Sequence, residues 1–170
     1  DLLPGAVAAA DLIARKIRER KPIVLYGDYD VDGITAIAIL WHLFRLAGAQ
    51  VSYYIPHRIE EGYGLNGDAI RQLHAAGADT LITVDCGITA FDQARLAHEL
   101  GLSLIITDHH APAEGLPEAD GLVHPRIADG YPNPHLCGAG VAFKLAWAVA
   151  RNLSGSLRVS LPFREFLKEA

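Results

Sequence analysis

Three aspartates occupy alternate positions in the stretch "YGDYDVDG", where Asp28, Asp30 and Asp32 follow an apolar run with no basic residue among them. Two more acids stand in the same local setting. Asp85 ends "TLITVD", and Asp108 ends "LSLIITD", followed at once by His109 and His110. Converging carboxylates repel one another, and a bound cation is the simplest partner that relieves them. Each position also has a plainer explanation when taken alone. An aspartate before a helix is often only its N-cap, Asp32-Gly33 suits a turn, and a His-His pair in a loop is usually solvated. Acid at three strand ends, together with two adjacent imidazoles, favours a metal site over unrelated caps.

The donor set indicates the kind of metal. Carboxylates with one or two imidazoles suit Mn²⁺ or Mg²⁺, whereas a structural Zn²⁺ site calls for more thiolate. Cys86 follows Asp85, but a lone cysteine at a tight strand–helix junction reads as small apolar filler. Several carboxylates around one centre imply two ions, roughly 3.5–4 Å apart, that share a bridging carboxylate and a water. Such a pair lowers the pKa of the water and clamps both oxygens of an in-line displacement. Hydrolysis of a phosphoester is the reaction this device fits best.

The elements that must position these residues are legible from periodicity. "IVLYGD", "QVSYYIP", "TLITVD" and "LSLIITD" read as strands, with a further short strand at "GLVH". Helices are expected over residues 5–21, where Val7, Leu12, Ile13 and Ile17 fall near helical spacing, and over "DAIRQLHAAG", capped by Asn66 or Asp68 and closed by Gly77. Others are expected at "TAFDQARLAHELG", "VAFKLAWAVARNL" and "LPFREFLKEA". "GITAIAILWHLFRLAG" is apolar almost all round, which predicts a deeply buried helix with Gly48 closing it. Helices of 10 to 15 residues alternating with continuous apolar strands predict an α/β fold: one parallel β-sheet with helices on both faces. Ligands bind beyond the carboxyl ends of such strands. Asp30, Asp32, Asp85, Asp108, His109 and His110 are therefore expected at one edge.

The 170 residues suit a single domain, with 51% hydrophobic and 21% charged residues. Fifteen Lys and Arg against twenty Asp and Glu give a net charge of −5, which argues against coating nucleic acid through a broad basic face. A narrow groove neutralised by metal ions stays compatible with that balance. Cys86 and Cys137 form no disulfide framework, no apolar run reaches the length of a membrane span, and the start lacks the basic flank of a signal peptide. A reducing, cytoplasmic setting follows. The absence of Met, even at position 1, suggests an excerpt from a longer protein.

"GDYDVDG", "VDCG" and "DHH" resemble the first three motifs of the DHH phosphoesterase superfamily. The wider wording "YGDYDVDGITA", "IPHRIEEGYGLN", "TVDCGI", "IITDHH" and "LCGAGVAFKLAW" resembles its RecJ-type exonucleases over nearly all of residues 20–153. The resemblance implies a metal-dependent 5′→3′ exonuclease of single-stranded DNA, active in repair and recombination, with two Mn²⁺ or Mg²⁺ ions. A single-strand-binding protein is a possible partner, and no membrane is involved. It further implies that Asp30 binds one ion and Asp32 the other, that Asp85 bridges them, and that His109 ligates the second. His110 would face the scissile phosphate, with Asp108 orienting the site. Many superfamily members carry a His at the position of Tyr26, and Asp28 is expected to take over part of that role. Arg58, in the loop before "GYGLN", is a candidate phosphate contact, as are the N–H groups at Gly138 and Gly140, although close packing explains those glycines equally well. His124 departs from the Asn-Pro wording of the family, and His42 and His74 are expected in the core or on the surface.

The fourth motif, with its metal-binding Asp, has no counterpart after residue 153, and the DHHA1 and nucleic-acid-gripping domains are missing. The expectation is a truncated DHH phosphoesterase domain over residues 1–170, with impaired or no activity alone. The competing readings are a small-substrate relative (oligoribonuclease, cyclic-dinucleotide phosphodiesterase or pyrophosphatase) and a non-catalytic replication scaffold. The first group generally carries the early His, and the second tends to lose the ligands that this chain keeps.

Overall fold

Strands whose side chains are apolar on both faces must be covered on both faces, and the chain does this with a three-layer arrangement. The computed structural model describes residues 3–57, 62–156 and 158–170. In chain order the elements are α1 (Ala6–Arg18), β1 (Ile23–Gly27), α2 (Val31–Leu46), β2 (Val51–Tyr54), α3 (Gly67–Ala75) and β3 (Thr80–Val84), then α4 (Phe91–Glu99), β4 (Ser103–Thr107), β5 (Gly121–Val123), α5 (Gly138–Ser154) and α6 (Leu161–Glu169). The sheet is five-stranded and parallel throughout, in the order β2-β1-β3-β4-β5. The expected fold class and the short strand at "GLVH" are both present. Among the described residues no helix is long and apolar enough to cross a membrane.

Alternate strand residues divide between two cores. Ile23, Leu25, Ile82, Val84, Ile105 and Val123 pack with α1, α2 and α5. Val24, Tyr26, Leu81, Leu104 and Ile106 pack with α3 and α4 on the opposite face. The Asp79 N–H donates to the Pro22 carbonyl, the Ser103 N–H donates to the Asp79 carbonyl, and the Lys16–Asp79 ion pair (2.7 Å) completes the end of the sheet away from the acids.

Two helices differ from their sequence expectation. In α1 the buried face is mostly alanine, with Ile13 and Ile17, while Val7 is exposed. Small side chains let α1 lie close against α5. In α2, Gly33, Ala36, Ile37, Leu40, Leu43 and Phe44 are buried, but Val31, Ile34 and Leu46 are exposed, so the helix is buried on one side only. Apolarity all round measures what a helix could bury; only neighbours on the other side would complete it. Its end is as expected, with Gly48 in the left-handed region (φ 76°) just after Ala47. Asn66 caps α3 by accepting from the N–H groups of Asp68 and Ala69. His42 and His74 are both exposed.

Candidate metal centre

β1 hydrogen-bonds to β2 on one side and to β3 on the other, so the chain order reverses at β1. The carboxyl ends of β1 and β3 flank this switch point, where an open parallel sheet leaves a crevice. Asp28, Asp30 and Asp32 leave β1 into the first turn of α2, Asp85 leaves β3, and Asp108, His109 and His110 leave β4. Hydrogen bonding between these strands brings residues up to 82 positions apart, Asp28 and His110, to one edge.

The donors fall into two groups that share one residue. Asp28, Asp30 and Asp85 each place an oxygen within 4.8 Å of the others, and Asp85, His109 and His110 do the same. His109 Nε2 lies 3.2 Å from Asp85 Oδ1 and 3.5 Å from Asp32 Oδ2. Asp85 is buried, its Oδ1 makes no hydrogen bond among the described residues, and its backbone is left-handed (φ 62°), a conformation that a non-glycine residue adopts at a cost. Burial, and then the charge of Asp32, push its carboxyl up to about 7. A buried carboxylate oxygen without a donor, between two sets of metal-type ligands, is the arrangement that a divalent cation satisfies. The residues present therefore fit two ions that share Asp85.

The other aspartates are fixed by backbone donors. Asp30 caps α2 by accepting from Gly33 N–H (2.9 Å), and Asp28 accepts from Tyr29 N–H (2.6 Å). Asp32 is held from the far side of the chain: Gly138 N–H and Ala139 N–H donate to its two oxygens at 2.7 Å each, so it caps α5. The N–H groups expected to meet a phosphate are thus engaged, the third, at Gly140, by Cys137 Sγ at 3.4 Å. Gly138 is required by proximity, since a Cβ there would stand 2.4 Å from Asp85 Oδ1. At Gly140 a Cβ would meet Leu136 at 2.5 Å.

The two histidines live in different environments. Burial and the neighbouring His110 hold the His109 imidazole below its ordinary pKa, so it is neutral at pH 7 with a lone pair to offer. Burial also opposes protonation of His110, but a hydrogen bond from its Nδ1 to Asp108 Oδ1 (2.7 Å) and the charge of Asp108 outweigh it and raise its pKa. Asp108 accepts in addition from the backbone of His109, His110 and Ile88. Its Oδ1 takes three of these bonds and its Oδ2 the one from Ile88, which makes it an orienting group. Tyr26, at the position where a His was considered, is buried, stacks on Tyr54 with ring centroids 5.3 Å apart, and donates its hydroxyl to the Gly64 carbonyl. Cys86 is buried among apolar neighbours, as expected of filler.

Arg58 lies outside the described residues. Two residues near the site were not singled out from sequence. Tyr63 brings its hydroxyl to 3.3 and 3.5 Å from the His110 ring nitrogens, and burial and then Asp108 raise its pKa. Arg126 donates to the His109 carbonyl. A tyrosine in a glycine-rich loop and an arginine after a proline carry no sequence signal for these contacts.

The sequence and fold are similar to those of known proteins. The model of the DHH family, N-terminal domain, matches residues 22–162. The chain is 45% identical over 156 residues to the single-stranded-DNA-specific exonuclease RecJ of Bacillus subtilis, covering 91% of this chain and 20% of that protein. It spans about a fifth of the length of this curated relative. A crystal structure of exonuclease RecJ bound to manganese superposes with a TM-score of 0.87 at 38% identity, covering 98% of this chain and 42% of the other. RecJ of Thermus thermophilus in complex with Mn²⁺ gives a TM-score of 0.80 at 34% identity, covering 97% and 23%.

Proposed function

This chain belongs to the DHH family, and from that premise we propose that it is the catalytic core of a 5′→3′ exonuclease of single-stranded DNA. The proposal extends to two Mn²⁺ or Mg²⁺ ions, to repair and recombination in the cytoplasm, and to recruitment by a single-strand-binding protein. The observation that carries it is the place of Asp85, a buried carboxylate common to two ligand groups, whose Oδ1 makes no hydrogen bond among the described residues. The similar RecJ proteins that hold manganese support the choice of ion.

In this reading Asp28, Asp30 and Asp85 hold one ion, and Asp85, Asp32 and His109 hold the other. When bound, the pair supplies an activated water and charge neutralisation at the phosphate. The chain's own groups do the rest. His109 stays neutral and offers Nε2. His110, fixed at Nδ1 by Asp108 and with the Tyr63 hydroxyl 3.5 Å from its Nε2, would with its raised pKa hold a proton against a developing negative charge. The α5 N-terminus aims Asp32, and Arg58 would contact a phosphate.

Calorimetry of Mn²⁺ on this chain and on Asp85→Ala tests the shared ligand. Unchanged binding would remove it. Activity is tested by a chimera in which residues 22–162 replace the matching segment of the Bacillus subtilis RecJ, assayed with Mn²⁺ on 5′-labelled single-stranded DNA, a short RNA and pyrophosphate. Preference for the last two would favour a small-substrate phosphoesterase, and inactivity on all three, with Mn²⁺ bound, would favour a scaffold.

A further inference from the structure

The His109–His110 backbone is held from both sides. Asp108 takes its two N–H groups at 2.7 and 3.1 Å. The segment after β5 takes its two carbonyls: the Arg126 guanidinium donates to that of His109, and His124 Nε2 lies 2.8 Å from that of His110. The His124 ring is fully buried, and its other nitrogen, Nδ1, faces the backbone N–H of Arg126 at 3.0 Å. A carbonyl only accepts and a backbone N–H only donates. The two contacts together admit one state of the ring: neutral, with the proton on Nε2 and the lone pair on Nδ1. The opposite tautomer would set donor against donor at Arg126 and acceptor against acceptor at His110. The cation would keep the first of these conflicts.

We infer that His124 is a positioning residue of the metal centre, whose Nε2–H fixes the His110 carbonyl and through it the setting of both imidazoles beside Asp85. Both its ring nitrogens are committed, so it is not itself a ligand. The second, independent hold at Arg126 Nη2 acts on the adjacent carbonyl, so the two contacts together stop rotation of the peptide between the histidines. This gives a function to a residue that departs from the expected Asn-Pro wording: His-Pro here supplies a donor on a longer reach while its Nδ1 takes the turn-forming N–H two residues on.

The consequence for metal binding rests on the two-ion reading above; the state of the ring does not. Long-range ¹H–¹⁵N correlation of the histidine rings of this chain, recorded in EDTA at neutral pH, reads each tautomer. His124 is expected to carry its proton on Nε2, and a proton on Nδ1 would overturn the inference whatever the variants do. Calorimetric Mn²⁺ affinity then tests the consequence. His124→Leu, which keeps bulk and loses both polar atoms, is expected to weaken Mn²⁺ about tenfold. His124→Gln, whose amide nitrogen reaches the position of Nε2, is expected to recover most of that loss. A folded Leu variant with parental affinity, or a Gln variant as weak as Leu, would overturn the positioning role; if Leu does not fold, the ring spectrum and the Gln variant decide. Should Asp85→Ala leave Mn²⁺ binding intact, the metal-centre reading fails, while the ring assignment is judged separately by its spectrum.

Discussion

Asp85→Asn removes a charge without changing shape, and the structure fixes the sign of its effect in two states. Burial and Asp32 raise this carboxyl from 3.8 to about 7. Without a cation, ionising it in the folded chain is unfavourable: three units at about 1.4 kcal/mol each set an upper bound of about 4 kcal/mol above pH 7. Water at the rim of the crevice screens the repulsion, and about 2 kcal/mol is the working figure. Because the folded pKa lies above the unfolded one, the carboxyl's contribution to stability is complete below the unfolded value. It is lost as the pH rises from about 4 through 7. Asparagine has no such slope, and it tolerates the left-handed backbone at φ 62° better than most side chains. In EDTA at pH 8 the variant is therefore expected to be more stable than the parent by about 2 kcal/mol, a rise in Tm of about 4–8 °C for a domain of this size. The gap narrows as the pH falls towards 4. Mn²⁺ reverses the order, since a folded-state ligand at 100 times its Kd adds about 2.7 kcal/mol to the parent and little to a variant that lacks the shared ligand. Thermal melts of both proteins at pH 5 and 8, in EDTA and in Mn²⁺, contain every comparison. A variant no more stable than the parent in EDTA at pH 8, or one that gains as much from Mn²⁺, refutes the reasoning.

Three further outcomes follow from neighbouring contacts. Gly138→Ala places a methyl group 2.4 Å from Asp85 Oδ1 and should lower stability by about 1–3 kcal/mol, read by urea denaturation, with weaker Mn²⁺ binding by calorimetry. Asp108→Asn sets an amide N–H₂ among donors and removes the charge that holds His110 up, so the His110 pKa, followed by NMR titration, should fall. Burial works against ionisation of Asp79, but Lys16, Thr80 and Lys21 outweigh it and hold its carboxyl below the ordinary value. Asp79→Asn should therefore cost at most about 1 kcal/mol near neutral pH, an effect present above the unfolded pKa and lost as the pH falls through the folded one; an equal loss at pH 2.5 would contradict the ion pair.

What the sequence made legible was set by short-range rules. Apolar strands ending in acid, with helices between them, imply a parallel sheet, and a parallel sheet implies that its carboxyl ends share an edge. That reasoning reaches Asp30, Asp85 and His109 without knowing which strands touch. It does not reach the order of the strands, because nothing local tells β1 to take β3 as its second neighbour. It also misses contacts made across the chain. Asp32 caps a helix that starts 106 positions later, so its partners have no local trace, and the same holds for His124 beneath the His110 carbonyl. The half-open α2 is a third case. Its Val31 and Ile34 look like core in composition, and composition cannot tell whether a neighbour arrives to cover them.

Capping and metal binding are rival explanations of the acids, and the caps are observed residue by residue. Asp30 caps α2, Asp32 caps α5, and Asp108 gathers three donors from its own turn and a fourth from Ile88, after β3. None of these needs a cation. The capping oxygens of Asp30 and Asp32 each take one of these donors and keep a second lone pair, and a cap fixes where that lone pair points. Asp85 is the exception: among the described residues its Oδ1 makes no hydrogen bond, its backbone is left-handed, and a Cβ at Gly138 would stand 2.4 Å from it. Leaving such an oxygen uncompensated costs about 1–3 kcal/mol, more when charged, in a fold whose whole stability is of the order of 10 kcal/mol. Packing alone would replace it with an apolar side chain. In the proposed two-ion reading, capping aims the outer ligands Asp30 and Asp32, and the cation is the partner of Asp85, where the two donor groups meet.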